Sequence, residues 1–144
     1  MLMILPISLT AAAAAAFINF WLGIRIGQVR TSEKVSIGDG GNDKVIRRMR
    51  AQANFVEFTP FVLILIVLLE MATGTSTWLW AVMALYMLAR IAHPFGMDGL
   101  MRARAIGISV TMLGMAGLAG YAVYVTQSSG GTISEPAAEM IPAG

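Results

Sequence analysis

The residues best equipped for chemistry form the run Arg47-x-x-Arg50-Ala51-Gln52-x-Asn54-x-x-Glu57-x-x-Pro60, which leads directly into the apolar stretch Phe61 to Leu69. On an α-helix, at about 100° per residue, Arg47, Arg50, Asn54 and Glu57 fall within roughly 80° of arc and climb about 15 Å along one face. A guanidinium takes carboxylates in bidentate fashion, a carboxamide gives and accepts, and a carboxylate receives an ammonium group. Together they suit a zwitterionic molecule, and a small anionic peptide fits that description. An ionisable side chain in hydrocarbon costs at least about 2.5 to 3.5 kcal/mol, so the stripe must face other helices, water or a polar ligand. A purely structural alternative has Arg50 and Glu57 pairing with neighbouring helices to fix packing.

A second polar set follows the same logic. Arg90, His93 and Met97 share a helical face at i, i+3 and i+7. His93 is the only histidine and the chain has no cysteine, so a zinc site would have to rest on carboxylates, and no metal is expected. No serine in a strained turn accompanies His93, which argues against a hydrolytic triad. Arg102 and Arg104 open the next apolar segment, and Arg30 follows Gly27-Gln28-Val29 at the end of the first. Such residues serve as snorkelling anchors, and one of them can instead stabilise a thiolate, because a thiol of pKa about 8.5 ionises at neutral pH only beside a positive charge.

The elements that must position these groups are membrane helices. The 144 residues are 57% hydrophobic and 12% charged, with a mean hydropathy of +0.72, which excludes a soluble domain of this size. Apolar runs at about Ile4 to Ile24, Phe55 to Leu69, Trp78 to Ala89 and Ala105 to Val125 give four spans. The two short runs reach spanning length once Arg47 to Asn54 and Arg90 to Met97 are counted as helix continuing past the hydrocarbon. The resulting domain covers 1–126, with spans at about 3–30, 44–72, 76–97 and 102–126, and 127–144 reads as a flexible tail.

The glycine-rich turn from Ser36 to Asp43 separates the first two spans, and Asn42 or Asp43 can cap the second. Gly74-Thr75-Ser76-Thr77 makes a short hairpin connection beside Trp78 and Trp80, and Pro94, Gly96 and Gly99 loosen the chain after the third run. Gly114, Gly117 and Gly120 suit close helix packing in the bundle. The methionines are scattered and read as apolar filler. The first run lacks a basic leading segment, so it is expected to be an anchor rather than a cleaved signal.

All ten basic residues lie in or beside the first and third connections, dividing the formal charge into +5 on that side and −3 on the other. That side is expected to be cytoplasmic, with both termini outside. The basic residues form no soluble, aromatic-interleaved patch, so the pI near 9.4 reports topology and not nucleic-acid binding. Four spans enclose little space within one chain, so an oligomer is expected.

The Arg47 to Pro60 motif resembles the second-helix signature of the leukotriene-forming glutathione transferase of the MAPEG family (membrane-associated proteins in eicosanoid and glutathione metabolism). Gly27-Gln28-Val29-Arg30 and Arg90-Ile91-Ala92-His93 are similar to segments of its microsomal prostaglandin E synthase. Gly38-Asp39-Gly40-Gly41 with Asn54-Phe55-Val56-Glu57 resembles small bacterial inner-membrane members. The likeness covers about residues 15 to 125.

The resemblance implies an all-α, four-helix transmembrane protomer assembled as a homotrimer, with glutathione held between subunits near the cytoplasmic face. By position, Arg50, Asn54 and Glu57 would bind glutathione, with Arg47 on the same stripe. Arg30 and His93 would complete the pocket, Arg90 would support it, and Arg104 would hold the thiolate. Where characterised members carry tyrosines, this chain has Phe58 and Met97, which supply no hydroxyl. The expected function is glutathione transfer, with possible peroxidase activity, to hydrophobic electrophiles arriving through the bilayer. The rivals are a non-catalytic lipid-binding or scaffold member of the same fold, and a small transporter. The transporter is disfavoured because no ionisable residue marks the midplane of the first or fourth span.

Overall fold

The computed structural model describes residues 4–129, and among them the regular structure is entirely α-helical. Four helices follow one another: α1 (Pro6–Glu33), α2 (Asp43–Thr73), α3 (Thr77–Met97) and α4 (Met101–Ser129). All four are long and apolar enough to cross a membrane. The helices α1 and α2 pack together, as do α3 and α4, and α2 contacts both members of the second pair. The expected tail begins later than its composition implies, because α4 carries through residues 127–129. Its remaining part, 130–144, lies outside the described residues.

The core is built where buried apolar positions recur at helical spacing: Ile7, Ala11 and Leu22 of α1, Val62 and Ile66 of α2, and Leu79 and Met83 of α3. By contrast Phe17, Phe20, Phe61, Ile64, Leu85, Leu88 and Leu113 point outward. In water such a surface would drive aggregation, whereas in a bilayer it is the lipid-facing surface.

The helix ends are closed by two devices. Asn42 caps α2, its Oδ1 accepting from the backbone N–H groups of Lys44 at 2.9 Å and Val45 at 3.3 Å. The N-terminus of α1 has no N-cap side chain of its own. Instead Glu70, at the far end of α2 and 1% exposed, accepts from the backbone N–H groups of Ile7 (3.0 Å) and Ser8 (2.7 Å) and from the Ser8 hydroxyl (2.6 Å). Thr75 Oγ1 donates to the same carboxylate at 2.9 Å. A negative charge against the positive end of the α1 dipole satisfies donors that would otherwise be stranded at the membrane edge.

The opposite end is tied by charge. Arg25 pairs with Asp98, Arg48 Nε lies 3.7 Å from the same carboxylate, and Arg48 Nη1 donates to the Arg25 carbonyl at 2.9 Å. The Arg25 guanidinium also sits over the Trp21 and Phe95 rings, at 4.9 and 5.3 Å from their centroids. One cluster thereby fastens the first helix, the second and the α3–α4 turn. The first and third connections, which carry the basic residues, share this end of the bundle.

Pro94 is fully buried inside α3, which continues to Met97. One expectation about small residues is corrected. Gly114, Gly117 and Gly120 do not mediate packing within the protomer: a Cβ at any of them would meet nothing within 4 Å. The close approach of α3 and α4 runs through Gly96, where a Cβ would collide with the Arg104 backbone, and through Gly107, where it would lie 2.9 Å from His93 Cβ.

Candidate functional site

Helix α2 runs unbroken through the polar stripe and into the apolar stretch, with Pro60 inside it. Its buried face is set by Ala51, Phe55, Thr59 and Val62, so Arg50 and Glu57 must turn away from the core, and both are exposed. Neither side chain has a hydrogen-bond or ion-pair partner among the described residues. The structural alternative, in which they pair with neighbouring helices, therefore finds no support within the protomer.

Asn54 lies between the exposed stripe and the buried face, and it is half-buried. Its Oδ1 accepts a 2.9 Å hydrogen bond from Arg90 Nη1, which also donates to Thr111 Oγ1 at 3.2 Å. Thr111 in turn donates to the Gly107 carbonyl at 2.8 Å. Arg90 is 1% exposed, and its guanidinium stands 5.4 Å from the Phe55 ring centroid. A guanidinium has no acceptor, so the amide must turn its oxygen toward Arg90. The amide nitrogen is then left for the exposed side. The sequence alone allowed Asn54 to give and accept; here its oxygen accepts from Arg90, which leaves the nitrogen as the group it can offer a ligand.

His93 is 2% exposed, packed against Gly107 one helical turn beyond Arg90. His93 Nδ1 and Arg90 Nε and Nη2 are buried without a hydrogen-bond partner among the described residues. These two residues underlie the stripe from inside the bundle and are not beside it on the surface. Buried polar groups need partners, and Asn54, Thr111 and the Phe55 ring satisfy Arg90 only in part.

The other expected residues divide by flank. Glu57 lines an apolar groove of about 380 Å³ between α2 and α4, together with Phe58, Phe61, Leu65, Met115 and Ala119. Arg104, exposed in the first turns of α4, lies on that helix. Arg30 belongs to the α1 flank, where it donates to the Ser36 carbonyl at 3.3 Å and contacts Met49 Sδ at 3.5 Å. Arg47 parts from the stripe and lines a separate cleft with Gln28, Ser32, Lys44, Arg48 and Asp98.

The structure thus brings together Asn54 with Arg90, and Glu57 with Phe58. It leaves Arg30 on the other flank of α2 from the Glu57 groove, which Phe58 lines and Met97 does not. A buried phenol, Tyr86, has its hydroxyl engaged with Thr59 Oγ1 at 3.0 Å. Sequence reading missed Thr111, whose only signal was a polar residue in an apolar helix. It also missed the Arg25, Arg48 and Asp98 cluster.

The exposed groups of the stripe suit a small zwitterionic molecule. Arg50 and the Asn54 amide nitrogen are donors for carboxylate or carbonyl oxygen, Glu57 is an acceptor for ammonium, and the apolar groove adjoins them. Among the described residues no group of His, Asp and Glu side chains is arranged to hold a metal.

Comparison with known proteins agrees with this architecture. Residues 8–124 match the MAPEG family. The chain is similar to the inner membrane protein YecN of Escherichia coli K12, at 29% identity over 107 residues that cover 73% of this chain and 81% of YecN. The YecN protein of Escherichia coli O6:H1 (strain CFT073) gives the same identity and coverage. The four-helix protein described here is a membrane protein belonging to the MAPEG family.

Proposed function

We propose that this protein is a membrane-bound glutathione transferase acting on hydrophobic electrophiles that arrive from the bilayer. The observation that carries the reading is the position of Glu57. It ends the polar stripe of α2 and also lines the apolar groove facing α4. A charged peptide and an apolar reactant can meet there.

In this reading Arg50 and the Asn54 amide nitrogen hold glutathione carboxylate or carbonyl groups, and Glu57 holds its ammonium group. Arg90 fixes Asn54 from beneath, and His93 supports the same polar layer. Bound glutathione supplies a thiol whose anion displaces a leaving group from an electrophilic carbon. Arg104 contributes positive charge that favours the anion. The groove of Phe58, Phe61, Leu65 and Met115 orients the apolar reactant, so that much of the rate enhancement comes from placement.

The division of the set between two flanks of α2 favours assembly. Arg30 reaches the Glu57 side only from a second copy, which supports an oligomer with the site at subunit boundaries, a homotrimer by the family resemblance. The basic end is the cytoplasmic one and the termini face outward by the distribution of Lys and Arg. The relative's name as an inner membrane protein supports the same compartment for this chain.

The purified protein should conjugate glutathione to 1-chloro-2,4-dinitrobenzene, releasing chloride, above the uncatalysed rate. Arg104→Ala should lower kcat by roughly tenfold or more while leaving glutathione affinity within about twofold, as for a group acting on the thiolate alone. One specific observation favours a second reading, a lipid-binding or scaffold member without catalysis: Phe58 and Met97 provide no hydroxyl. Saturable glutathione binding without conjugation above background, across several electrophiles and hydroperoxides, selects that reading.

A further inference from the structure

The cleft that Arg47 shares with Lys44 and Arg48 is separate from the stripe and has about 620 Å³ of space, within the range of small-ligand sites. Three elements wall it: Gln28, Val29, Ser32 and Glu33 from the end of α1, the first turns of α2, and Asp98 from the α3–α4 turn. It opens at the basic end of the bundle, where the helices leave the hydrocarbon.

Its carboxylates are already engaged. Glu33 accepts from Lys44 Nζ at 2.7 Å and from Asn42 Nδ2 at 2.8 Å. Asp98 is shared by Arg25 and Arg48. Three cations of the lining, Lys44, Arg47 and Arg48, with Arg25 behind them on Asp98, therefore stand against two carboxylates, leaving an excess of +2. Arg47 has no partner among the described residues. Lys44 retains donors beyond its Glu33 contact, and Arg48 retains those not committed to the Arg25 carbonyl and Asp98.

From this we infer that the cleft is a phosphate-ester site at the membrane surface, in which Lys44, Arg47 and Arg48 grip the phosphate of an anionic phospholipid headgroup or of a soluble phosphate ester. A phosphate ester carries one to two negative charges and several strong acceptor oxygens, which matches the excess charge and the spare donors. Basic pockets between helices at the cytoplasmic leaflet are where such headgroups collect. A zwitterionic headgroup brings no net charge and leaves the +2 uncompensated. The inference does not depend on the proposed transferase activity.

Native mass spectrometry of the full-length, delipidated protein tests it, with phosphatidylglycerol, phosphatidylcholine and glycerol 3-phosphate offered separately at equal concentration. Retention of phosphatidylglycerol should exceed that of phosphatidylcholine. In K44Q/R47Q the preference should fall roughly tenfold or more, as expected for losing two charged donors to a phosphate. Arg102→Gln removes an exposed basic residue that does not line the cleft and should leave the preference unchanged. Retention of glycerol 3-phosphate that K44Q/R47Q abolishes, without a preference between the lipids, assigns the same site to a soluble ester. Equal retention of all three probes, or a preference that Arg102→Gln lowers as much as K44Q/R47Q does, overturns the inference and leaves a nonspecific basic surface. Thermal unfolding of each variant in detergent separates loss of binding from loss of fold.

Discussion

Glu70→Ala lowers the unfolding stability of the protein by about 3 kcal/mol or more, because it strands several buried donors at once. The backbone N–H groups of Ile7 and Ser8 and the hydroxyls of Ser8 and Thr75 all converge on this one carboxylate. The two amides lie in the first turn of α1 and have no carbonyl within the helix to turn to. The carboxylate also faces the positive end of the α1 dipole, so charge and hydrogen bonding act in the same direction. Glu70→Gln should cost less, since it keeps one acceptor oxygen while losing the charge. Unfolding followed by circular dichroism in detergent checks the order wild type, then Glu70→Gln, then Glu70→Ala. Equal stability of wild type and Glu70→Ala would mean that α1 is not capped from α2.

Asn54→Asp separates two consequences that a simple loss of function would merge. A carboxylate in place of the amide pairs with Arg90, converting a neutral acceptor into a charged one beneath the stripe, and stability should rise by about 1 kcal/mol. The outward amide nitrogen is lost at the same time. Glutathione affinity should fall roughly tenfold or more, because a donor to a carboxylate or carbonyl has become a repelling acceptor. Thermal unfolding and glutathione titration of the same preparation read both effects. An Asn54→Asp variant that binds glutathione as tightly as wild type would show that the amide nitrogen does not serve the ligand.

How much of this was legible beforehand depended on how local the signal was. Four helices follow from hydropathy, and a cap at Asn42 or Asp43 was readable because either sits directly before the residues it would serve; the structure selects Asn42. The stripe was readable because a spacing of three and four fixes a common face without knowledge of neighbours. Glu70 was not, since its partners lie 62 and 63 residues away and its charge looked like that of an outer connection. The glycines show the same limit from the other side. The spacing of Gly114, Gly117 and Gly120 suggests a packing surface, but the rotation of α4 against α3 is set by Gly96 and Gly107, and the regular series is left facing outward.

Arg90 and Arg47 required the structure for a related reason. A sequence places Arg90 and His93 on one face but does not say whether that face looks toward a ligand or beneath it. The packing of α3 between α2 and α4 buries both, turning Arg90 into the group that orients Asn54. Arg47 shares an arc with Arg50, yet it stands a turn closer to the end of the bundle, where α1 and the α3–α4 turn create a cleft of their own. A helical wheel has no depth, and here the depth decides which neighbours a charge meets.

Isothermal titration of glutathione into the purified protein tests the central claim most directly, using wild type, Arg50→Ala and Glu57→Ala. Wild type should give saturable heat, and each variant, still folded by circular dichroism, should bind more weakly by at least about 1 kcal/mol, as for loss of a hydrogen bond to a charged group. Absence of binding to wild type, or unchanged affinity in both folded variants, would contradict the account.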